Sequence, residues 1–181
     1  MNKNIILIGQ SGSGKSTIAK HLQEKHDFQI LKFANPVYNI CNQLGMKDKD
    51  RYMLQTIGTD IGRNNIDEDI WINRLCQDFI IMNLWYKGQK NFVIDDCRFP
   101  NEIKKLLTFH FYPILLMANI ELLAKRSGNP KHRYEHESEE VVFKTFKYVT
   151  DNLPSDNYLV IDSTIPKETM FSMVENFMVK K

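Results

Sequence analysis

The sequence lacks the features that mark secreted and membrane-spanning proteins. It holds only three cysteines, Cys41, Cys76 and Cys97, which are odd in number and far apart, so neither a disulfide framework nor a zinc knuckle is predicted. No apolar run approaches the roughly 18 residues of a membrane span. The opening "MNKNIILIGQ" also lacks the longer apolar core of a signal peptide. We therefore expect a cytoplasmic protein in a reducing compartment, without a membrane partner.

A strong charge of either sign is also missing. The 24 basic and 22 acidic side chains leave a formal net charge of +2, too little for a protein that tracks a phosphate backbone, so no stable nucleic-acid partner is expected. Eighteen of the basic residues are lysine and six are arginine. The few arginines are candidates for phosphate binding, because the planar guanidinium grips phosphate in a way that an ammonium group cannot.

Short apolar runs alternate with longer helical patterns along the 181 residues, a length that suits one domain. This alternation predicts an α/β fold with about five parallel strands in a sheet that helices cover on both faces. The predicted strands are Ile5–Ile8, Ile30–Phe33, Phe92–Asp95, Tyr112–Met117 and Tyr158–Ile161. The predicted helices are Lys15–Lys25, Pro36–Leu44, Asp50–Ile57, Asp69–Trp85, Pro100–Leu107, Ile120–Lys125, Glu137–Val149 and Pro166–Val179.

Two stretches interrupt this alternation and are predicted to be additions to the core. The first, at about 35–68, is mostly helical, and the second, at about 118–137, includes the polar segment "SGNPKHRYEHE". The core is then assigned to 1–34, 69–117 and 138–181 of a single domain that spans 1–181. Long segments of this kind are often functional.

The segment "GQSGSGKST" follows the first predicted strand, opens the first predicted helix and matches the phosphate-loop pattern G-x-x-x-x-G-K-[ST]. Glycines allow the backbone to wrap closely, so that N–H groups and the positive end of the helix bind phosphate oxygens. The pattern predicts that Lys15 reaches the β- and γ-phosphates of a nucleoside triphosphate and that the Ser16 hydroxyl ligates Mg²⁺. The alternative is a glycine-rich turn that only caps a helix. The candidate nucleotide-binding residues are Gly9, Ser11, Gly12, Ser13, Gly14, Lys15, Ser16 and Thr17.

In "NFVIDDCRFPNE", an apolar strand ends in two adjacent aspartates. The carboxyl ends of parallel strands line the ligand crevice, so Asp95 and Asp96 should lie at the same edge as the phosphate loop. A carboxylate there can hold Mg²⁺ or orient the attacking oxygen. We expect Asp96 to have the larger role and Asp95 to support it. The alternative is an N-cap for the helix that begins near Pro100.

Arg98 follows these acids at the start of the next loop. Its guanidinium could clamp a second phosphate beside the one in the phosphate loop. Two facing phosphate sites describe phosphoryl transfer between two phosphate-bearing molecules. The alternative is an ion pair with Glu102 on the first turn of the following helix.

Four blocks, "GQSGSGKST", "LQTIGTDIGRNNIDEDIW", "DDCRFPNE" and "HESEE", occur in an order that resembles the phage-type deoxynucleoside monophosphate kinase family, a branch of the P-loop nucleotide kinases. The resemblance spans Ile5 to about Glu140. It implies a P-loop kinase three-layer sandwich with a five-stranded parallel core, a monophosphate-binding insert at about 35–68 and a mobile lid at about 118–137. It also implies ATP and Mg²⁺ as cofactors, a deoxynucleoside monophosphate as acceptor, and the host cytoplasm as the location if the gene is viral.

The resemblance further implies roles for named residues. Lys15 and Ser16 would serve ATP–Mg²⁺, and Asp96 and Arg98 would serve the reaction centre and the acceptor phosphate. Arg63, in "GTDIGR", would lie in the acceptor-binding insert. The family tends to have an asparagine just after the last strand, where this chain has "LVIDST", so adenine contacts at that place are not carried over.

Other side chains are candidates by their position around the first added segment. Arg63 could hold the acceptor phosphate, and Trp71 could stack on its base, although helix core is the favoured interpretation of Trp71. Phe33, at the end of the second predicted strand, is another stacking candidate, with a buried aromatic as the equal alternative. Gln55 could hydrogen-bond a base edge or lie on a solvated face.

Arg126 and Arg133 lie at or in the second added segment. Lid cations that close over a transferring phosphoryl group stabilise its oxygens and help to exclude water. The alternative is an ordinary solvated basic loop. His132 and His136 are four residues apart there, but the H-E-x-x-H order is absent, so no zinc site is predicted.

Three classes of function remain open. The first is a deoxynucleoside monophosphate kinase that acts on small-molecule nucleotides as a monomer or homodimer. The second is a kinase of another small metabolite, such as dephospho-coenzyme A or a nucleoside. An acceptor that lacks a phosphate would leave Arg63 and Arg98 without a purpose. The third is a P-loop switch or a nucleic-acid-stimulated ATPase. The N-K-x-D tetrapeptide with which GTPases read guanine is absent from the sequence.

Overall fold

The computed structural model describes residues 3–46, 51–128 and 137–179, in which strands and helices alternate as predicted. The strands are β1 (Asn4–Gly9), β2 (Gln29–Leu31), β3 (Phe92–Cys97), β4 (Phe111–Met117) and β5 (Leu159–Asp162). The α-helices are α1 (Lys15–His26), α2 (Ala34–Gln43), α3 (Arg51–Gln55), α4 (Ile70–Trp85), α5 (Pro100–Leu107), α6 (Ile120–Ser127), α7 (Glu137–Asn152) and α8 (Lys167–Val179). A π-helix (Thr56–Ile66) and a 3₁₀-helix (Ser155–Asn157) are also present.

The five strands form one parallel sheet in the order β2-β3-β1-β4-β5, which confirms the predicted fold class. β1 is central: Ile5 lies opposite Val93 of β3, and Asn4 lies opposite Phe111 of β4. Because the strands are parallel, their carboxyl ends open onto one edge of the sheet. Open α/β sheets bind their ligands at this edge.

The chain divides into two compact units. The first comprises Met1–Ile30 and Lys90–Lys181, and the second comprises Leu31–Gln89. The first unit contains nearly all of the sheet with α1 and α5 to α8, and the second contains α2, α3, the π-helix and α4. The labels predicted from the sequence, an acceptor-binding insert at about 35–68 and a lid at about 118–137, remain proposals.

An apolar core in the first unit lies between the sheet and two helices. Ile5 and Leu7 of β1 are fully buried in one cluster with Ile18 and Leu22 of α1 and Val174 of α8. Successive side chains of a strand point to opposite faces, so the alternate apolar residues of β1 face the second helical layer, where α7 contacts both β1 and α5. Burial on both faces explains why the sequence of β1 is almost continuously apolar.

The second unit is mostly helical, and its π-helix contacts α2, α3 and α4. Trp71 of α4 is buried, and its Nε1–H donates to the carbonyl oxygen of Gly58 at 2.6 Å. A Cβ on Gly62 would lie 2.6 Å from Trp71 Cζ2, so only glycine leaves room for the indole there. The 11 residues of this π-helix exceed the single turn that is usual for such helices, which are frequent at functional sites.

α5 begins and ends where the sequence predicts, and the other elements agree to within about three residues, with two differences that have a physical cause. β2 ends at Leu31 rather than Phe33, because Phe33 already has helical φ and ψ as the N-cap of α2. The helix predicted to end at Ile57 changes after Gln55 into the π-helix, which was not predicted. The pattern of apolar residues in the sequence does not distinguish a π-helix from an α-helix, so the change was not visible there.

None of the helices in these three ranges is long and apolar enough to cross a membrane. Cys41, Cys76 and Cys97 are all buried, and none of the three forms a disulfide bond. Cys97 is fully buried at the end of β3, where small size is a sufficient reason for its presence.

Candidate active site

The phosphate loop lies at the carboxyl edge of the sheet, between the end of β1 and the start of α1. Gly12 and Gly14 have φ angles of 81° and 94°, in the left-handed region that favours glycine. A Cβ on Gly9 would lie 2.8 Å from the carbonyl oxygen of Leu116, and one on Gly12 would lie 2.7 Å from that of Leu123. The loop therefore approaches β4 and α6 more closely than any larger residue would allow.

Lys15 lies against the loop that precedes it. Its Nζ donates to the carbonyl oxygens of Gly9 at 2.5 Å and Gln10 at 2.8 Å. The backbone N–H of Ser13 donates to the same Gln10 carbonyl at 3.2 Å and helps to close the loop. The Ser13 side chain is fully buried, and its hydroxyl meets no hydrogen-bond partner among the residues that the structure describes. A closed loop at the start of a helix presents its N–H dipoles to an anion, as the motif predicts.

Ser16 connects the phosphate loop to β3. Its hydroxyl donates to Asp95 Oδ2 at 2.8 Å, and Asp95 is only 4% exposed. A hydroxyl and a carboxylate are oxygen donors of the kind that Mg²⁺ prefers, so this pair fits a magnesium site. Sequence reasoning assigned the larger role to Asp96, but the contact with Ser16 belongs to Asp95. Adjacent strand side chains point to opposite faces, and Asp95 lies on the face that meets the start of α1.

The backbone of Arg98 is held from two sides. Its N–H donates to Glu102 Oε2 at 2.7 Å, and the N–H of Phe99 donates to the same oxygen at 3.0 Å. The Thr145 hydroxyl of α7 donates to the Arg98 carbonyl oxygen at 2.6 Å. Glu102 and Thr145 are both buried. Sequence reasoning considered Glu102 only as an ion-pair partner and missed Thr145. The position of Glu102 at the third residue of α5 is a capping signal, whereas nothing local marks Thr145.

Arg126, in the last turn of α6, donates from Nη1 to the carbonyl oxygen of Ser163 at 2.7 Å. The N–H of Ser163 donates to the Met117 carbonyl at 2.7 Å and joins the ends of β4 and β5. In the same turn, the N–H of Thr164 donates to Asp162 Oδ1 at 2.9 Å. This bond lowers the pKa of Asp162 below its ordinary value, and a hydrogen bond from the Thr164 side chain lowers it by a smaller amount. A predicted lid cation is thus tied to the turn after β5.

The second unit holds the other candidates for substrate contact. Phe33 and Trp71 are buried, which favours the alternative that both are core residues. Gln55 is exposed at the end of α3. Arg63 is half-buried on the π-helix, with Nη1 3.5 Å from the carbonyl oxygen of Glu68.

The structure therefore places part of the predicted site on one edge of the first unit. These side chains belong to the phosphate loop, to β3 and its loop, and to the end of α6, and they are Lys15, Ser16, Asp95, Asp96, Arg98 and Arg126. Ser11 lies within the phosphate loop, and Thr17 lies in the first turn of α1. Arg133 lies outside the described residues, as do His132 and His136.

A protein-family model described as an AAA domain matches residues 5–143. Among curated proteins, the chain is similar to a protein of Acanthamoeba polyphaga mimivirus that is provisionally named a deoxynucleotide monophosphate kinase, with 30% identity. The match covers 53% of this chain and 64% of that protein. The chain thus spans less than two thirds of the length of this relative.

Solved structures with a similar fold include kinases. A gluconokinase from Sinorhizobium meliloti 1021 superimposes with a TM-score of 0.54 and 15% identity, over 98% of this chain and 91% of that chain. A sugar kinase from Janibacter sp. superimposes with a TM-score of 0.59 and 15% identity, over 98% of this chain and 94% of that chain. Identity this low establishes the shared fold alone.

Proposed function

The chain belongs to the AAA domain family of P-loop proteins, and from this premise we propose that it is an ATP-dependent deoxynucleoside monophosphate kinase. The observation that carries the proposal is the hydrogen bond from Ser16 to buried Asp95, which joins the phosphate loop to the acidic strand end that precedes Arg98. The order of the four sequence blocks and the provisional name of the mimivirus relative support the choice of acceptor.

The phosphate loop would bind the donor nucleotide. Backbone N–H groups of the loop and of the first turn of α1 would take the β- and γ-phosphate oxygens. Lys15 would exchange its present partners, the carbonyl oxygens of Gly9 and Gln10, for those oxygens. Ser16 and Asp95 would hold Mg²⁺, which supplies positive charge between the β- and γ-phosphates when it is bound.

Arg98 would bind the phosphate of the acceptor. Its backbone is fixed by Glu102 on one side and Thr145 on the other, so the guanidinium extends from a well-defined point at the end of β3. A planar guanidinium matches two oxygens of a phosphate. From the resemblance, Arg63 would add a second cation and Gln55 a contact to the base. Phe33 and Trp71 are weaker candidates, because both are buried.

The reaction moves one phosphoryl group between two phosphates. An oxygen of the acceptor phosphate attacks the γ-phosphorus in line, the bond from that phosphorus to the β–γ bridging oxygen breaks, and ADP leaves with a deoxynucleoside diphosphate as product. Arg126 and Arg133 would hold the negative oxygens of the transferring group and help to exclude water. Arg126 donates from Nη1 to the Ser163 carbonyl oxygen in this structure, so it would either release that oxygen or use its other N–H groups.

A coupled ADP-release assay with MgATP tests the proposal. The acceptors, each assayed alone, are the four deoxynucleoside monophosphates, their ribonucleotides, deoxynucleosides, dephospho-coenzyme A, gluconate and single-stranded DNA. We expect turnover with at least one deoxynucleoside monophosphate and formation of its diphosphate. Turnover with gluconate, a nucleoside or dephospho-coenzyme A alone would reassign the chain to another small-molecule kinase. ATP hydrolysis that DNA stimulates, without a phosphorylated acceptor, would overturn the kinase assignment.

The variant Arg98→Ala tests the acceptor site. We expect the KM for the acceptor to rise about 10- to 100-fold while the KM for ATP stays within about twofold, because the proposed role of the lost guanidinium is to bind the acceptor phosphate and not ATP. Arg74→Ala is the control, since Arg74 is an exposed arginine of α4 that pairs with Asp78. An unchanged KM for the acceptor in Arg98→Ala would favour an acceptor that carries no phosphate.

A further inference from the structure

A cluster of three side chains joins α1 and α8 on the first unit. His21 and His26 belong to α1, and Glu175 belongs to α8. Nε2 of His21 lies 2.8 Å, and Nε2 of His26 lies 2.9 Å, from the same oxygen, Glu175 Oε1. One donor atom from each of the three residues lies within 4.8 Å of the other two. Three potential metal ligands thus converge, and the proposed phosphoryl transfer uses none of them.

We propose that His21, His26 and Glu175 form a binding site for a divalent transition-metal ion, with Zn²⁺ as the best match. Two imidazole nitrogens and one carboxylate oxygen are a known set of three protein ligands for zinc, and they leave a fourth position for water. Imidazole donors favour zinc and its neighbours in the first transition row, whereas Mg²⁺ prefers sites made of oxygen. The site is therefore chemically different from the Ser16–Asp95 pair.

The donor atoms of the cluster lie near enough to one another, all within 4.8 Å, for small side-chain movements to bring them onto one zinc ion. Metal–ligand bonds of about 2.0–2.2 Å in a tetrahedron place neighbouring donor atoms about 3.3 Å apart. The two nitrogen–oxygen distances of 2.8 and 2.9 Å are slightly shorter than this. Binding then requires the Glu175 carboxylate to withdraw by about half an ångström, and its side chain is exposed enough to do so, with 40% of its surface accessible.

The cluster is also supported by its neighbours. The ring of His21 stacks on Phe171 of α8, with 3.8 Å between the ring centroids and 2° between the planes. Ile18 of α1 and Val174 of α8 belong to the apolar core of this unit. The side chains of His21 and His26 are 15% and 35% exposed, so an ion can reach the cluster from solvent. The ligands are thus held by packed helices but remain accessible.

The charge of the cluster suits a cation. A glutamate carboxylate is ionised at neutral pH, so Glu175 brings one negative charge to the cluster. A metal ligand must be deprotonated, and each imidazole must carry its proton on Nδ1 so that Nε2 presents a lone pair. In the absence of metal, the same contacts form an ion-pair cluster, and the experiment has to distinguish the two states.

A metal ion at this position would link the carboxyl-terminal half of α1 to α8. Lys15 is the first residue of α1, so the ion would stabilise the helix that carries the phosphate loop. It would act as a structural brace and take no part in phosphoryl transfer. The proposal is independent of the acceptor, because none of the three ligands belongs to the proposed active site.

The test uses the full chain, treated with EDTA and dialysed, and then titrated with Zn²⁺ in a calorimeter without nucleotide. We expect one zinc ion per chain and, at about 100 times the Kd, a rise in Tm of about 5–10 °C. Glu175→Gln and His26→Gln should each weaken zinc binding at least about tenfold. Glu168→Gln, an exposed acid on the same helix, is the matched control and should bind zinc as the wild type does.

Two further readouts keep the test decisive. Zinc should shift the ring resonances of His21 and His26 but not those of His110, and excess Mg²⁺ should not displace it. Wild-type zinc affinity in Glu175→Gln or His26→Gln would overturn the proposal, because the zinc would then bind elsewhere. The absence of stoichiometric zinc binding by the wild-type chain would also overturn it and identify an ion-pair cluster only. A failed kinase assay would leave these outcomes unchanged.

Discussion

The two units of the chain hold their candidate residues in different ways. In the first unit, Lys15, Ser16 and Asp95 extend from a strand end and a helix start, where backbone geometry and buried contacts fix them. In the second unit, Arg63 lies on a π-helix whose packing requires Gly62 beside the indole of a buried tryptophan. The comparison teaches that the residues proposed to bind the donor depend on the fold of the sheet, whereas the acceptor contact proposed for Arg63 depends on one local helix.

The largest expected effect concerns the phosphate loop of the first unit. Lys15→Met should lower kcat/KM for phosphoryl transfer by about 10²- to 10³-fold, because a positioned charge near the transferring group is lost. Lys20→Met is the control, since Lys20 is an exposed residue of the same helix that pairs with Glu24. Steady-state kinetics and Tm should be measured for both variants. Equal losses in the two variants would show that the lysine has no special role.

The two aspartates at the end of β3 provide the next test. Asp95→Asn should lower kcat by about 10²-fold and raise the Mg²⁺ concentration needed for activity, because it removes a charge beside Ser16. Asp96→Asn should lower kcat by less than about tenfold. Magnesium titrations of both variants provide the measurement. A larger loss in Asp96→Asn would restore the order of importance that the sequence suggests.

Two glycines of the π-helix test how closely the second unit is packed. Gly62→Ala should lower the free energy of unfolding by about 1–3 kcal/mol, because the new Cβ would lie 2.6 Å from Trp71 Cζ2. Gly58→Ala is the matched control, since its Cβ would lie 3.7 Å from the methyl groups of Val37, an ordinary contact. It should change stability by less than about 1 kcal/mol. Urea unfolding measures both, and similar values for the two variants would contradict the close packing.

The smallest expected effect concerns the turn after β5. The N–H of Thr164 lowers the pKa of Asp162, so the ionised carboxylate stabilises the folded state above its ordinary pKa of 3.8. That stabilisation is lost as the pH falls through the lower, folded-state pKa. We expect Tm to fall more steeply below pH 3.8 in the wild type than in Asp162→Asn. Asp156→Asn controls for the loss of a surface charge, and parallel acid limbs for the wild type and Asp162→Asn would contradict the prediction.

Much of the first unit could be predicted because its signals are local. Each short apolar run that was predicted to be a strand forms one, and the phosphate-loop pattern located Lys15 and Ser16 without any long-range information. The acids of β3 could be placed at the correct edge, because parallel strands share their carboxyl ends. Their ranking could not be predicted, since it depends on which face of β3 meets α1.

The features that were not predicted depend on contacts between distant segments. Thr145 reaches the Arg98 carbonyl across 47 residues of sequence, and nothing in its neighbourhood marks it. The cluster at Glu175 joins residues 154 and 149 positions apart. The π-helix was missed for a different reason, because apolar periodicity does not separate it from an α-helix. Phe33 was also misassigned from the apolar pattern: its apolar neighbours suggested a strand, although its backbone is helical.

The central position of β1 has a consequence for synthesis on the ribosome. Its two strand neighbours, β3 and β4, begin at Phe92 and Phe111. At about 5–20 residues per second, more than 80 further residues take at least about 4 s to emerge after β1. An isolated apolar strand is a target for wrong pairing during that interval. The phosphate loop is synthesised before the two strands that pair with β1, so we expect a chaperone that holds β1 during this interval to increase the yield of active protein.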